Sequence, residues 1–304
     1  MEKELSKLTT ESRNPHSMNL SRLSVPEILR LINSEDKKIA PAVESVLPEI
    51  EQAVEIIFQS LEKGGRLFYA GAGTSGRLGV IDASECPPTF MTPPEMVQTI
   101  MAGGNEAYTN AIEGSEDNEA QGKNDLKARH LTSRDVVVGI TASGRTPYPI
   151  GALKYAEEVK AASISLSCNK NSAISPLAEC AIEVIVGPEV LTGSTRMKAA
   201  TAHKMILNMF STTVMVKLGK VHENLMVDVH ASNHKLKERA KYILTELTSA
   251  SSEQAEQILQ SADWEVKPAI VMFEAGVSRD AALHAISKKN GFVGDAVAFA
   301  KLNA

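Results

Sequence analysis

Two short strings in the middle of the chain combine hydroxyl side chains with glycine: GAGTSGRLG at 71–79 and TASGRTP at 141–147. Each follows an apolar run and precedes a segment of helical character, which places it at a strand-to-helix turn. At such a turn the first backbone N–H groups of the helix have no internal acceptor, and the helix dipole adds positive potential. The result is an anion site. Thr74 and Ser75 with Gly76, and Thr141, Ser143 and Thr146 with Gly144, therefore read as a clamp for one phosphate, the glycines permitting close backbone approach. The same hydroxyls can cap the helices that follow, and the two roles are compatible. TSGR at 74–77 is echoed by ASGR at 142–145, in the equivalent topological place.

Gly71, Gly73 and Gly76 also satisfy G-x-G-x-x-G, the dinucleotide fingerprint, which needs an acidic residue at the end of the next strand. That strand ends in Ala102-Gly103-Gly104, and Glu95 precedes it, so the fingerprint fails at its confirming residue. Carboxylates suited to proton transfer stand nearby: Glu85 in ASECPP and Glu116 in EGSED, with Asp82 and Glu113 close by. Each has an ordinary structural reading, Glu85 as a helix-end carboxylate and Glu116 as an acid favourably placed at a helix start. Glu189 and the segment 192–196, Ser194 included, precede a long helix and could contact a polar ligand. Arg196 and Lys198 could meet a carboxylate or simply stand solvated. His230 and His234, with His222 and Asp228 nearby, have the i, i+4 spacing of a metal pair but lack H-E-x-x-H. His203 reads as a packed or interface histidine.

The elements that must position these residues alternate. A polar arm over 1–25 contains the turn Asn14-Pro15. A helix then starts at Val25, with Pro26 suited to its first turn. A second covers 41–63 and stops at Gly64-Gly65. Short apolar runs follow at 66–70, 97–102, 136–142, 162–168 and 182–187, separated by helical segments at 75–84, 118–130, 147–160 and 175–180. Runs without strict alternation, interleaved with helices, predict a parallel sheet covered on both faces, with its ligand at the carboxyl ends of the strands. Beyond it come a long helix over 194–218, ended by Gly219, and another over 229–248. From Ser252 the spacing predicts three short amphipathic pieces separated by Asp263-Trp264, Gly276-Val277-Ser278 and Asn290-Gly291.

Composition narrows the function classes. In 304 residues the hydrophobic fraction is 43% and the charged fraction 23%, which excludes disorder and collagen-like structure. Lys and Arg number 32 against 37 Asp and Glu, a net charge of −5 that argues against nucleic-acid binding through counterion release. Aromatic residues at 4% are too few to stack bases or sugar rings. No apolar run is long enough to span a membrane. The polar N-terminus has no signal-peptide core. Cys86, Cys168 and Cys180 lack CxxC spacing and read as reduced, buried thiols, so the expected compartment is the cytoplasm.

The two hydroxyl loops resemble the phosphosugar-binding loops of the sugar isomerase (SIS) domain family. The longer strings GAGTSGRLGVIDASECPPTF, AIEGSEDN and LTGSTRMKAATAHKMILN, with TTESRNP near the start, resemble one branch closely, the bacterial N-acetylmuramic acid 6-phosphate etherases. The resemblance runs over essentially the whole chain. It implies a doubly wound α/β fold with a five-stranded, flavodoxin-like parallel sheet and a small all-helical C-terminal subdomain. The expected division is an arm and helices over 1–50, an SIS domain over 51–225, a connecting helix over 226–251 and a UBA-like subdomain over 252–304.

The activity the resemblance implies is cleavage of the D-lactyl ether of N-acetylmuramic acid 6-phosphate, giving N-acetylglucosamine 6-phosphate and D-lactate in the recycling of cell-wall sugars. Elimination followed by hydration would achieve this without a metal or redox cofactor. By resemblance Glu116 is the base at C2, while Glu85 protonates departing lactate and later activates water. Glu85 would need its pKa raised by burial or by a neighbouring carboxylate. The phosphosugar contacts would be Thr74, Ser75, Gly76, Thr141, Ser143, Gly144, Thr146, Glu189 and Ser194. The resemblance also implies a homodimer with its site at the subunit interface. Two other readings use the same loops: an aldose–ketose phosphosugar isomerase, and a non-catalytic sugar-phosphate sensor. The sensor reading lacks both a second SIS domain and a basic recognition helix.

Overall fold

Five apolar segments pair in parallel as β1 (Leu67–Gly71), β2 (Val97–Met101), β3 (Val136–Ile140), β4 (Ala162–Ser167) and β5 (Cys180–Glu183), in the order β2-β1-β3-β4-β5. This is the flavodoxin-like order, with its topological switch point between β1 and β3. The computed structural model describes residues 8–229 and 233–303. Leu67, Phe68, Tyr69 and Ala70 of β1 and Val136, Val137 and Val138 of β3 are all buried, as a sheet covered on both faces requires.

The helices follow the chain as α1 (Val25–Asp36), α2 (Ile39–Glu44), α3 (Leu47–Glu62), α4 (Gly73–Phe90), α5 (Glu119–Ala128), α6 (Pro147–Glu158) and α7 (Lys198–Lys217). Phe68, Ala70 and Val137 pack with Leu126, Tyr148, Ala152 and Leu153 of α5 and α6 in one core cluster. α3, whose Ile50, Val54, Ile57 and Leu61 are buried, packs on β1, β3, β4 and β5. Seven further elements follow among the described residues: the short hairpin β6 (Val221–His222) and β7 (Leu225–Met226), then α8 (His234–Leu247), α9 (Ser252–Ser261), α10 (Val266–Ala275), α11 (Arg279–Lys288) and α12 (Val293–Asn303).

The chain divides into two compact units, Met1–Ser84 with Pro94–Ser211, and Glu85–Pro93 with Thr212–Ala304. The second unit has its own core, in which Ala240, Ile243 and Leu244 of α8 meet Leu259, Val266, Ile270 and Val293.

Several boundaries differ from the sequence reading, each for a local reason. The single helix expected over 41–63 is two, because Pro48 at the start of α3 cannot continue the hydrogen-bond ladder of α2. α4 continues past Ser84 through Pro87 and Pro88. Cys86 and Phe90 bury one turn apart, and Met91 N–H still donates to the Pro87 carbonyl. The helix expected over 175–180 is one 3₁₀ turn, Ser175–Leu177, since Cys180 already pairs with Ile164 as the first residue of β5. The tail forms four helices rather than three pieces. Each of the three predicted separators is a real break, with Asp263 and Trp264, Gly276, and Asn290 and Gly291 at positive φ. The residues before Asn233 in the helix expected over 229–248 include three outside the described residues. Asn233 caps α8, its side chain accepting the Leu236 N–H at 2.9 Å.

One buried ion pair joins α1 to the start of α7. Lys198 Nζ lies 2.7 Å from Glu35 Oε2, with both side chains almost inaccessible, and Lys38 Nζ lies 2.5 Å from Oε1. Burial alone would raise the Glu35 pKa, but the hydrogen bonds and charges of Lys198 and Lys38 outweigh it and bring it down to about 2. Because the folded pKa is depressed, this group stabilises the protein above its unfolded value near 4.5, and the stabilisation is lost as pH falls towards 2. Glu35→Ala leaves Lys198 buried and unpaired, and should cost about 3–5 kcal/mol of stability in urea unfolding at pH 7. The double variant Glu35→Leu/Lys198→Met should lose much less.

Candidate active site

β1 and β3 run side by side with Gly71 opposite Ile140, so the loops that leave their carboxyl ends are neighbours. Between them lies a cavity of about 220 Å³. Thr74 and Ser75, in the first turn of α4, line it together with Thr141, Ser143 and Thr146 from the β3–α6 loop. The β3–α6 hydroxyls form one cluster: Thr141 Oγ1 is 2.8 Å from Thr146 Oγ1 and 3.2 Å from Ser143 Oγ. Two of them also accept loop N–H groups, Gly144 N–H on Thr141 at 3.2 Å and Arg145 N–H on Ser143 at 3.3 Å. The five hydroxyls and the first-turn N–H groups of α4 thus face one space suited to an anion.

The two glycines act through the backbone. A Cβ on Gly76 would stand 2.8 Å from the Gly71 carbonyl oxygen and from Met101 Cγ, so only glycine lets α4 start this close to β1. Gly144 has φ of +74°, and a Cβ there would collide with that of Ser172. Neither glycine needs to touch a ligand to be required.

Glu116 lines the same cavity. It sits in a 3₁₀ turn, Ser115–Asp117, entered through Gly114 at φ +71°. The loop that carries it is held by Arg77 of α4, whose Nε donates to the Ala107 carbonyl at 3.1 Å and that of Tyr108 at 3.2 Å, and whose Nη2 donates to Asn110 at 2.8 Å. Glu113 and Glu116 both line an adjoining hollow of about 180 Å³, which Arg77 also borders.

Other residues singled out in the sequence are placed differently. Glu85 is exposed on α4 and belongs to the second unit. The burial expected of a general acid is not supplied by its surroundings there. Glu189 is 1% exposed, and its two oxygens accept the N–H groups of Lys198 and Ala199 at 3.0 Å each. It therefore caps α7; burial raises its pKa, with those two hydrogen bonds opposing. Ser194 has neighbours on the cavity wall, Gly193 and Thr195, but does not itself line it. Lys198 is buried with Glu35 rather than solvated or open to a ligand carboxylate.

Asp82 is also buried, and burial raises its pKa. It accepts hydrogen bonds from Tyr69 Oη at 2.8 Å and from Asn208 Nδ2 and Ser211 Oγ at 2.9 Å, which fasten α4 to β1 and α7. His230 lies outside the described residues. Asp228 is engaged by Lys220 at 2.6 Å and Lys267 at 2.8 Å, and among the described residues no group of three His, Cys, Asp or Glu is arranged to hold a metal.

Two titratable residues that the sequence does not mark as site residues also line the cavity. His203 is 1% exposed, with Nε2 3.3 Å from Cys168 Sγ; burial lowers its pKa to about 4, so its ring is neutral. Packed or interfacial was the reading from sequence, and it is packed, but against the cavity. Glu11, from the N-terminal arm, also lines the cavity. Its only signal in the sequence is the TTESRNP string. All three cysteines are buried, and burial raises the Cys168 and Cys180 pKa values, the latter to about 11.

Comparison with known proteins agrees with this fold. Residues 49–157 match the glucokinase regulatory protein N-terminal SIS domain, and residues 118–213 match the SIS domain. Among solved structures, a phosphoheptose isomerase from Neisseria gonorrhoeae superposes with a TM-score of 0.50 at 19% identity, over 63% of this chain and 98% of that one, a likeness of fold. The N-acetylmuramic acid 6-phosphate etherase of Bacillus pumilus is 57% identical over 97% of both chains. That of Bacillus subtilis is 56% identical over 96% of both. With this identity sustained from the N-terminal arm through the helical tail, the chain belongs to the N-acetylmuramic acid 6-phosphate etherase family.

Proposed function

We propose that this chain cleaves the D-lactyl ether of N-acetylmuramic acid 6-phosphate, releasing D-lactate and N-acetylglucosamine 6-phosphate. The observation that carries the reading is the shared cavity: a cluster of hydroxyls and helix N–H groups suited to the phosphate, with the carboxylate of Glu116 lining the same space. In the open-chain sugar the C1 aldehyde acidifies the C2 proton. Glu116 takes that proton, and the C3–O bond breaks as lactate leaves with a proton from Glu85. Water then adds at C3 of the resulting enal while a proton returns to C2. The net change is one water consumed and one ether opened. Positioned general bases contribute about 10²–10⁴ in rate.

Glu85 is exposed in its own unit. In this reading a homodimer supplies the closure that shields it from water. The compartment in this reading is the cytoplasm; among the described residues no helix is long and apolar enough to cross a membrane.

Incubation with N-acetylmuramic acid 6-phosphate should release lactate stoichiometrically. Ketose formation without lactate would support the isomerase reading instead, and binding with neither product would support a sensor. Glu116→Gln should lower solvent deuterium exchange at C2 by at least about 10²-fold; exchange at the wild-type rate would remove Glu116 as the base. Glu85→Gln should retain C2 exchange while lactate release falls, the split expected of a residue acting on the leaving group. Arg77→Ala should reduce kcat by about 10- to 100-fold with little change in KM, because it displaces the Glu116 loop and leaves the phosphate hydroxyls in place.

A further inference from the structure

The cavity holds a second carboxylate, Glu11, with no role in the chemistry above. It arrives on the N-terminal arm, which is fastened by buried polar groups. Thr9 N–H donates to Asn169 Oδ1 at 2.7 Å, and Asn169 Nδ2 donates both to Thr10 Oγ1 at 3.1 Å and to the Ala142 carbonyl at 2.9 Å. Farther along, Asn14 Nδ2 donates to the Pro188 carbonyl at 3.2 Å. Thr10, Asn14 and Asn169 are each no more than 2% exposed. Asn169 thus ties the arm to Ala142, the residue between two hydroxyls of the phosphate loop. Glu11 is set in register with that loop by a single side chain.

Between these anchors, Thr10 turns inward while Glu11 is exposed on the cavity wall. Its Oε2 stands 3.4 Å from where a Cβ on Gly193 would lie, against the loop that enters α7. Among the described residues its carboxylate has no hydrogen-bond or ion-pair partner. An ordered arm costs conformational entropy, and here it delivers an unpaired carboxylate to a cavity whose other polar lining, Glu116 apart, is hydroxyls, backbone groups and a neutral imidazole. The chemistry of a ligand that suits Glu11 follows from its charge. A carboxylate repels phosphate and lactyl carboxylate alike, so it must face a neutral donor, a sugar O–H or an amide N–H.

Resting on the phosphosugar reading above, we propose that Glu11 is a specificity residue that accepts a hydrogen bond from the neutral, polyhydroxy part of the bound sugar phosphate. It separates a sugar phosphate from bare phosphate. The hydroxyl cluster holds the common anion, and Glu11 rewards only a ligand carrying donors beyond it. A hydrogen bond to a charged acceptor is worth about 10- to 100-fold in affinity.

The test is calorimetric titration of the full chain with N-acetylglucosamine 6-phosphate and, separately, with inorganic phosphate. Glu11→Ala should weaken the sugar phosphate by about 10- to 100-fold and leave inorganic phosphate equal or tighter. Glu11→Gln, which keeps a neutral acceptor, should fall between wild type and Glu11→Ala. The proposal is overturned if the sugar phosphate binds Glu11→Ala within twofold of wild type. It is equally overturned if both ligands weaken in parallel, which would make the arm a structural brace. A wild-type chain that binds neither ligand would overturn the phosphosugar reading itself. One that binds both, with Glu11→Ala unchanged, would overturn only the role of Glu11.

Discussion

Parallel pairing of β1 with β3, Gly71 beside Ile140, makes the chain leave two adjacent strands at one level of the sheet. β2 lies on one side of this pair and β4 on the other, so the crossover connections diverge and a crevice opens where they part. Both hydroxyl loops end there because they have no other place to go. Gly76 lets α4 begin against β1, and Gly144 lets the second loop turn tightly under Ser172. Without that register the two strings would be unrelated helix caps.

The chain carries a net charge of −5, and the cavity lining contains no Lys or Arg among the described residues. In the proposed reading, anion binding rests on oriented N–H groups and hydroxyls, whose partial charges act locally and need no global basic field. This has a consequence for the carboxylates. A guanidinium in the cavity would pair with Glu116 and occupy its oxygens. Two basic groups close in sequence to the lining are engaged elsewhere, Lys198 with Glu35 and Arg77 with the carbonyls of the Glu116 loop. Glu11 and Glu116 are left as the carboxylates of a space whose other polar lining is hydroxyls, backbone groups and a neutral imidazole.

Buried polar groups do most of the positioning. Asp82 fastens α4, Glu189 caps α7, Asn169 holds the arm to the phosphate loop, and the Glu35–Lys198 pair joins α1 to α7. Each is satisfied by several partners, which makes its burial tolerable and its geometry specific. From the sequence, Asp82, Glu189 and Lys198 were as plausible as ligand contacts. The distinction lies in which of them the fold turns inward. Glu189 has one backbone N–H on each oxygen and is 1% exposed, so its carboxylate is held against the start of α7 rather than presented to solvent.

Apolar runs without alternation, interleaved with helices, determined a doubly covered parallel sheet. Glycine and hydroxyl spacing determined two hydroxyl-rich strand-to-helix turns, since strand burial and helix-end hydrogen bonding are local properties of the chain. The three breaks in the tail were legible for the same reason, as they are turn residues at positive φ. What remained hidden depended on contacts between residues far apart in sequence. Asn169 reaches Thr10 across 159 positions, and Lys198 reaches Glu35 across 163. No periodicity carries such information. Only the tertiary structure decided that Glu11 lines the cavity, that Glu189 and Lys198 are spoken for, and that Glu85 stands exposed in a different unit, because burial and pairing are properties of the packed chain.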